Sequence, residues 1–201
     1  MMWSDLDRWK QTRARTVAMV SGLAQEQVDR RPAPGKWSVG EQLDHLLLAD
    51  RLYKRDFEQL IALAKAGRQP EISRSMDEIN FRPRAMPEAM VRMLEVPFTI
   101  ANLFVPSGMR EFMIRNEVFA GQRPDVAEPA SGKPLGELIE ALHASIREAD
   151  EMLRGNADLP FARMVVAHPL LGRSNVPLLV RLVRAHEMRH QRQIGAILAA
   201  A

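Results

Sequence analysis

Four long runs with a 3.6-residue apolar period, kept apart by prolines, confine this chain to one kind of architecture. The first run is expected to be helical from Asp5 to about Arg30. Ser4 with Asp7 three residues later opens it, Leu6, Trp9, Val17, Val20 and Leu23 are candidate core positions, and Arg31-Pro32-Ala33-Pro34-Gly35 ends it. The second begins at the capping box Ser38 to Glu41 and continues to about Ala66, with Val39, Leu43, Leu46, Tyr53, Phe57, Leu60 and Ala64 on one stripe. A third follows Pro134, and Leu135, Leu138, Ile139, Leu142, Ile146, Ala149 and Leu153 form the narrow seam of a bundle helix. Pro177 opens the fourth, which runs to about Ala199. Ala, Leu, Arg, Glu and Met outweigh β-branched and aromatic residues, so the pattern predicts an all-α four-helix bundle. Its 201 residues suit a single domain spanning positions 1–201.

The long stretch from Gly67 to Lys133 is broken by Pro70, Pro83, Pro87, Pro97, Pro106, Pro124 and Pro129. Two extra short helices are expected there between the second and third long ones, about Glu88 to Asn102 and Ser107 to Ala120. The apolar residues from Met90 to Phe104 suit a cover over one end of the bundle. A pocket wall, a subunit contact and a membrane-touching surface are the other readings, in that order. Gly121 to Gly132 and Gly155 to Arg173 read as loops, the second holding His168-Pro169-Leu170-Leu171-Gly172.

Several classes drop out on composition. The chain has no cysteine, which excludes thiolate metal sites, disulfide frameworks and a cysteine nucleophile. A net charge of +3 is spread among 25 acidic residues with no concentrated basic patch, so nucleic acid is not an expected partner. The N-terminal residues put Asp5 and Asp7 where a signal peptide needs basic residues and an apolar run. No stretch approaches the roughly 20 apolar residues that span a bilayer. The expectation is a cytoplasmic protein.

The chemistry concentrates in the fourth helix, at Arg184-Ala185-His186-Glu187-Met188-Arg189-His190-Gln191. Histidines four apart share one helical face, with Cβ atoms roughly 5–6 Å apart. On the wheel they point with Leu179 and Val183, while Arg181, Arg184 and Arg192 gather opposite. A single core-facing histidine is ordinarily a satisfied packing residue. Two together are costly to bury without a shared partner, which favours a common metal ion.

His186 to His190 also matches the H-E-x-x-H pattern of zinc metalloproteases. That chemistry needs a third ligand downstream, and Gln191 to Ala201 hold no histidine, aspartate or glutamate; the longer form wants glycine and histidine where Gln193 and Ala196 stand. A protease is not expected, and the third ligand must come from upstream. His45, at the edge of the second helix's stripe, is the best-placed candidate. His143, beside the seam of the third helix, is a substitute, and His168 fits a turn or pocket rim; carboxylates stay open as well.

Trp37-Ser38-Val39-Gly40-Glu41-Gln42-Leu43-Asp44-His45-Leu46 resembles the W-[ST]-x-x-[EQ]-x-L-x-H-[LI] segment of the DinB-like superfamily, which includes YfiT-type metal-dependent hydrolases. His186 to Ile194 resembles its closing H-x-x-R-H-x-x-Q-[IL] segment, and His168 to Gly172 is similar to the H-P-x-x-G loop that often precedes it. The resemblance implies a four-helix bundle in which His45, His186 and His190 hold a divalent metal, commonly nickel or zinc. It also implies frequent homodimers, and activities such as hydrolysis or thiol-dependent transfer with a low-molecular-weight thiol.

Three neutral imidazoles leave a cation net positive with a coordination position open, as catalytic sites do. Glu187 and Arg189 are the candidate catalytic residues. Glu187 orients a ligand imidazole or accepts a proton, or else pairs with Arg184 or Gln191 at the surface. Arg189 guides an anionic substrate or forms a salt bridge, and Asp56 is a candidate support for His45. The expected function is that of a metal-dependent enzyme, a hydrolase or thiol S-transferase acting on a small molecule. The alternatives are a non-catalytic metal- or ligand-binding helical bundle and a membrane-surface protein working through Met90 to Phe104.

Overall fold

The structure, a computed structural model, describes residues 2–74, 107–115, 128–168 and 172–200. Helix α1 (Met2–Val20) and the short α2 (Gln25–Asp29) lead into α3 (Val39–Lys65) and strand β1 (Glu71–Ser73). Helix α4 (Ser107–Arg115) and helix α5 (Leu135–Arg154) follow. A 3-10 turn (Phe161–Arg163), strands β2 (Val165–His168) and β3 (Gly172–Asn175), and helix α6 (Val176–Ala199) complete the order. Helices α1, α3, α5 and α6 are the four of the bundle: α1 packs along α6 and α5, and α3 packs against both α5 and α6. No helix among the described residues is long and apolar enough to cross a membrane.

The caps behave as their chemistry requires. Ser38 Oγ accepts from the Glu41 backbone N–H at 3.2 Å, and Glu41 Oε2 accepts from the Ser38 N–H at 2.8 Å, so α3 starts where the capping box puts it. Asn175 Oδ1 accepts from the Leu178 N–H at 3.0 Å, and Pro177 sits in the first turn of α6. Leu6, Trp9, Val17 and Val20 are buried as expected, and so are Leu138, Leu142, Ile146, Ala149 and Leu153.

Two expectations need correcting. The first helix neither opens at Ser4 nor reaches Arg30: it already includes Ser4, running from Met2 to Val20, the chain turns at Ser21-Gly22, and α2 restarts at Gln25. Glycine costs a helix interior about 1 kcal/mol, and the break lets Val28 fold back under α3. The approach is close, since a Cβ on Gly40 would meet Val28 Cγ1 at 3.0 Å.

The stretch Gly155 to Arg173 is not all loop. β2 and β3 pair antiparallel, Val165 opposite Asn175 through His168 opposite Gly172, and β1 adds parallel to β2. The reason is a period-two pattern: Met164 and Val166 are buried while Val165 and Ala167 are half exposed. Of the extra helices expected between the second and third long ones, Ser107–Arg115 is helical. The expected helix 88–102, the Met90 to Phe104 segment, positions 116–120 and the Pro169 to Leu171 part of the turn lie outside the described residues.

The core has two apolar clusters. One joins Leu6, Trp9, Phe57, Leu60 and Leu153 to the start of α6, and the other joins Val20, Val39, Leu43, Leu142 and Ile194. Buried polar side chains also lie among the bundle helices, Arg13, Thr16, Asp50, Glu187 and His190 among them.

Candidate metal centre

Each ligand candidate is placed by a helix whose start is fixed chemically. The Ser38 cap sets the phase of α3 so that His45, two turns in, faces α6. On α6, His186 and His190 stand one turn apart and face back. The Nε2 atoms of His45 and His186 are 3.2 Å apart, and those of His186 and His190 are 3.0 Å apart. The ligand atoms of all three lie within 4.8 Å of one another. His45 and His190 are buried, and His186 is half-buried.

Nitrogens about 2.0–2.1 Å from one cation and separated by these two distances subtend angles of roughly 90–105° at it, ordinary values for coordinated imidazoles. The donor count points the same way. His190 Nδ1 lies against Gln42 Oε1, an acceptor, so Nδ1 carries the proton and Nε2 is left with its lone pair. That lone pair faces His186 Nε2, which also faces His45 Nε2. A single N–H on His186 cannot serve both neighbours well, whereas one cation serves all three. The residues fit a divalent metal ion.

Burial pushes the pKa values of His186 and His190 well below the ordinary histidine range, helped by neighbouring imidazoles and by the positive charge of Arg189. Both rings are therefore neutral, ligand-competent bases at physiological pH. Trp37 lies beside them, its ring centroid 4.8 Å from that of His45 and 6.4 Å from that of His190. It forms an aromatic wall on one flank.

The other sequence candidates lie elsewhere. His143 is exposed on α5 and outside the cluster. His168 ends β2, opposite Gly172. The Asp56 carboxylate, three turns beyond His45, pairs with Arg74. Asp44, next to His45, accepts from the Ala130 N–H at 2.8 Å and from Lys133 Nζ at 2.6 Å, tethering the segment ahead of α5.

Glu187 is buried and faces α1, so neither Arg184 nor Gln191 is its partner. Its Oε1 accepts from Arg13 Nε at 2.8 Å and Thr16 Oγ1 at 2.6 Å, and its Oε2 from Trp9 Nε1 at 3.0 Å. Gln191 Nε2 instead donates to the Thr12 carbonyl at 2.8 Å.

Sequence reasoning missed two residues, Gln42 and Trp37. Gln42 stands three positions before His45, on the same face of α3, which was an available signal. Trp37 is the first fixed position of the segment that resembles the superfamily's and holds His45, which was its available signal, while its proximity to His190 depends on how α3 meets α6.

A helical bundle that gathers three imidazoles from two antiparallel-packed segments of chain is a scaffold for a single divalent cation. The family model described as the DinB superfamily matches residues 8–194, and the chain belongs to that superfamily. Comparison with curated proteins and with solved structures finds no match.

Proposed function

We propose that this chain is a metal-dependent enzyme acting on a small molecule, a hydrolase or a thiol-dependent S-transferase. Nickel or zinc would be held by His45, His186 and His190. The observation that carries the reading is the convergence of the three Nε2 atoms, two pairs of them within 3.2 Å. Imidazole donors suit both metals. A cation held by neutral ligands alone supplies a Lewis-acid position for activating a thiol or a water near neutral pH.

The chain's own residues do the rest. Burial keeps His186 and His190 unprotonated, and Gln42 holds the His190 ring in the tautomer that presents Nε2. Trp37 offers a flat apolar wall for the body of a substrate. Arg189, whose charge is felt at both α6 histidines, favours a substrate with an anionic group. We assign Glu187 to holding α6 against α1 and not to proton transfer, since both its oxygens are occupied there.

The test is to load the protein with nickel or zinc and follow consumption of a low-molecular-weight thiol in the presence of an electrophile, with ester and amide substrates in parallel. Turnover by the wild-type chain that disappears in His186→Ala is expected. Equal rates in the two proteins would overturn the reading.

A further inference from the structure

Inside the bundle one cation is set between two anions. Arg13 of α1 is 1% exposed, Glu187 of α6 is 0% and Asp50 of α3 is 6%. Arg13 donates to both carboxylates: Nε and Nη2 reach Glu187 at 2.8 and 3.2 Å, and Nη2 reaches Asp50 at 2.9 Å. A guanidinium keeps its charge in a protein. With both acids ionised, the three side chains carry one negative charge without a counterpart, where burying a charge is costly.

The donors are divided unequally. Glu187 accepts four hydrogen bonds on its two oxygens, two from Arg13 and one each from Thr16 and Trp9. That is the shell of an ionised carboxylate. Asp50 accepts on Oδ2 alone, from Arg13 and from Ser145 Oγ at 2.6 Å. Its Oδ1 accepts none among the described residues and reaches solvent. This asymmetry suits a carboxylic acid, with a carbonyl-like Oδ2 and a hydroxyl at Oδ1 that donates to water.

The surrounding charges leave that balance in place. On α3, Lys54 is matched by Glu148 of α5 at 2.6 Å, and Arg51 is exposed, where water and salt screen it. The Tyr53 phenol stays neutral, its pKa pushed up by burial and by the charges of Asp56 and Asp50. Burial pushes the Asp50 pKa above its ordinary value, against the pull of Arg13 and the Ser145 hydroxyl, and the Glu187 charge adds to the rise.

We propose that Asp50 is a proton switch: in the folded chain it holds a proton on Oδ1 at a pH where ordinary aspartates are ionised, and releases it as pH rises. With the proton in place, the charge of Arg13 belongs to Glu187, and the junction of α1, α3, α5 and α6 is neutral. Its release sets two anions in competition for one guanidinium and weakens the junction. The unfolded chain loses this proton near the ordinary aspartate value of about 3.9. The stability Asp50 contributes is therefore complete below that value and is lost as pH rises through the folded one.

Urea unfolding of the full chain and of Asp50→Asn, between about pH 5 and pH 8, tests this, because ordinary aspartates are ionised throughout that range. Asparagine keeps an acceptor for Arg13 and Ser145 and offers an N–H in place of the Oδ1 proton. The unfolding constant of the wild type, relative to that of Asp50→Asn, is expected to rise with pH. The rise is up to tenfold per pH unit until Asp50 is ionised. A constant ratio, or one that falls, overturns the proposal. The side-chain carboxyl carbon of Asp50, followed by NMR in isotope-labelled wild type, gives a reading that needs no variant. It should titrate within the same range, and a resonance already at its carboxylate position at the low end overturns the proposal. In Glu187→Gln, where the charge of Arg13 passes to Asp50, that titration should move to lower pH; an unmoved titration overturns it too.

Discussion

The two ring nitrogens of His190 have different tasks, and Gln42 separates them. Its Oε1 takes the Nδ1 proton, which commits Nε2 to the centre of the cluster. Replacing Gln42 with Ala frees the ring to rotate and change tautomer. Supporting residues of this kind typically cost 10–100-fold in metal affinity when removed, and a loss in that range is expected from competition with a chromophoric chelator. An unchanged affinity would remove Gln42 from the account.

The protonation of the same residues fixes a pH dependence. His186 and His190 have folded pKa values depressed by burial, against roughly 6.5 in the unfolded chain. As pH falls below about 6.5 the unfolded chain takes up protons that the metal-free fold refuses. Stability is therefore level above that pH and falls below it, at up to roughly 1.4 kcal/mol per pH unit for each group. The decline ends only where the depressed folded values are reached. Denaturant unfolding in chelator should show this slope, shallower in His186→Ala; identical slopes would contradict the assigned shift.

At the scale of the element, α6 carries two kinds of chemistry on adjacent faces. One presents His186 and His190 to α3, and the other presents Glu187 to Arg13, Thr16 and Trp9 of α1. Glu187→Gln leaves Arg13 still paired with Asp50 but weakens the charge-assisted bonds that Arg13 and Thr16 donate to residue 187, a cost of about 1.5–3 kcal/mol. The expected result is a much less stable protein that still binds metal when folded. Metal loss without loss of stability would return Glu187 to the site.

This division also explains what could be read from the chain alone. Ser38, Glu41, Pro134 and Pro177 encode helix starts within a few residues of themselves, so three of the four long helices were legible at their openings. The pair of histidines one turn apart was legible for the same reason. Glu187 looked like a surface or catalytic residue because its partners lie on α1, 171 to 178 positions away. The break after Val20 rests on one glycine whose effect the flanking helix formers masked. The β2–β3 hairpin was hidden by its shortness, although Val165 and Val166 carried the signal.

At the scale of the whole molecule, the bundle brings residue 45 to residues 186 and 190 across 141 positions of sequence. It does so while burying charged side chains between its helices, which a purely apolar reading of the four stripes does not anticipate. Such polar interiors must be fully partnered to be tolerated, and Arg13 meets that demand with bonds to Glu187, Asp50, Ser145 and the Leu142 carbonyl. The same close packing that buries them holds the three imidazoles in register.

The metal content of untagged protein, measured by elemental analysis for the wild type, His45→Ala and His143→Ala, tests the centre of this account most directly. A divalent metal bound in stoichiometric amount by the wild type and by His143→Ala, and lost from His45→Ala, is the predicted result. Equal metal in His45→Ala and the wild type would contradict it.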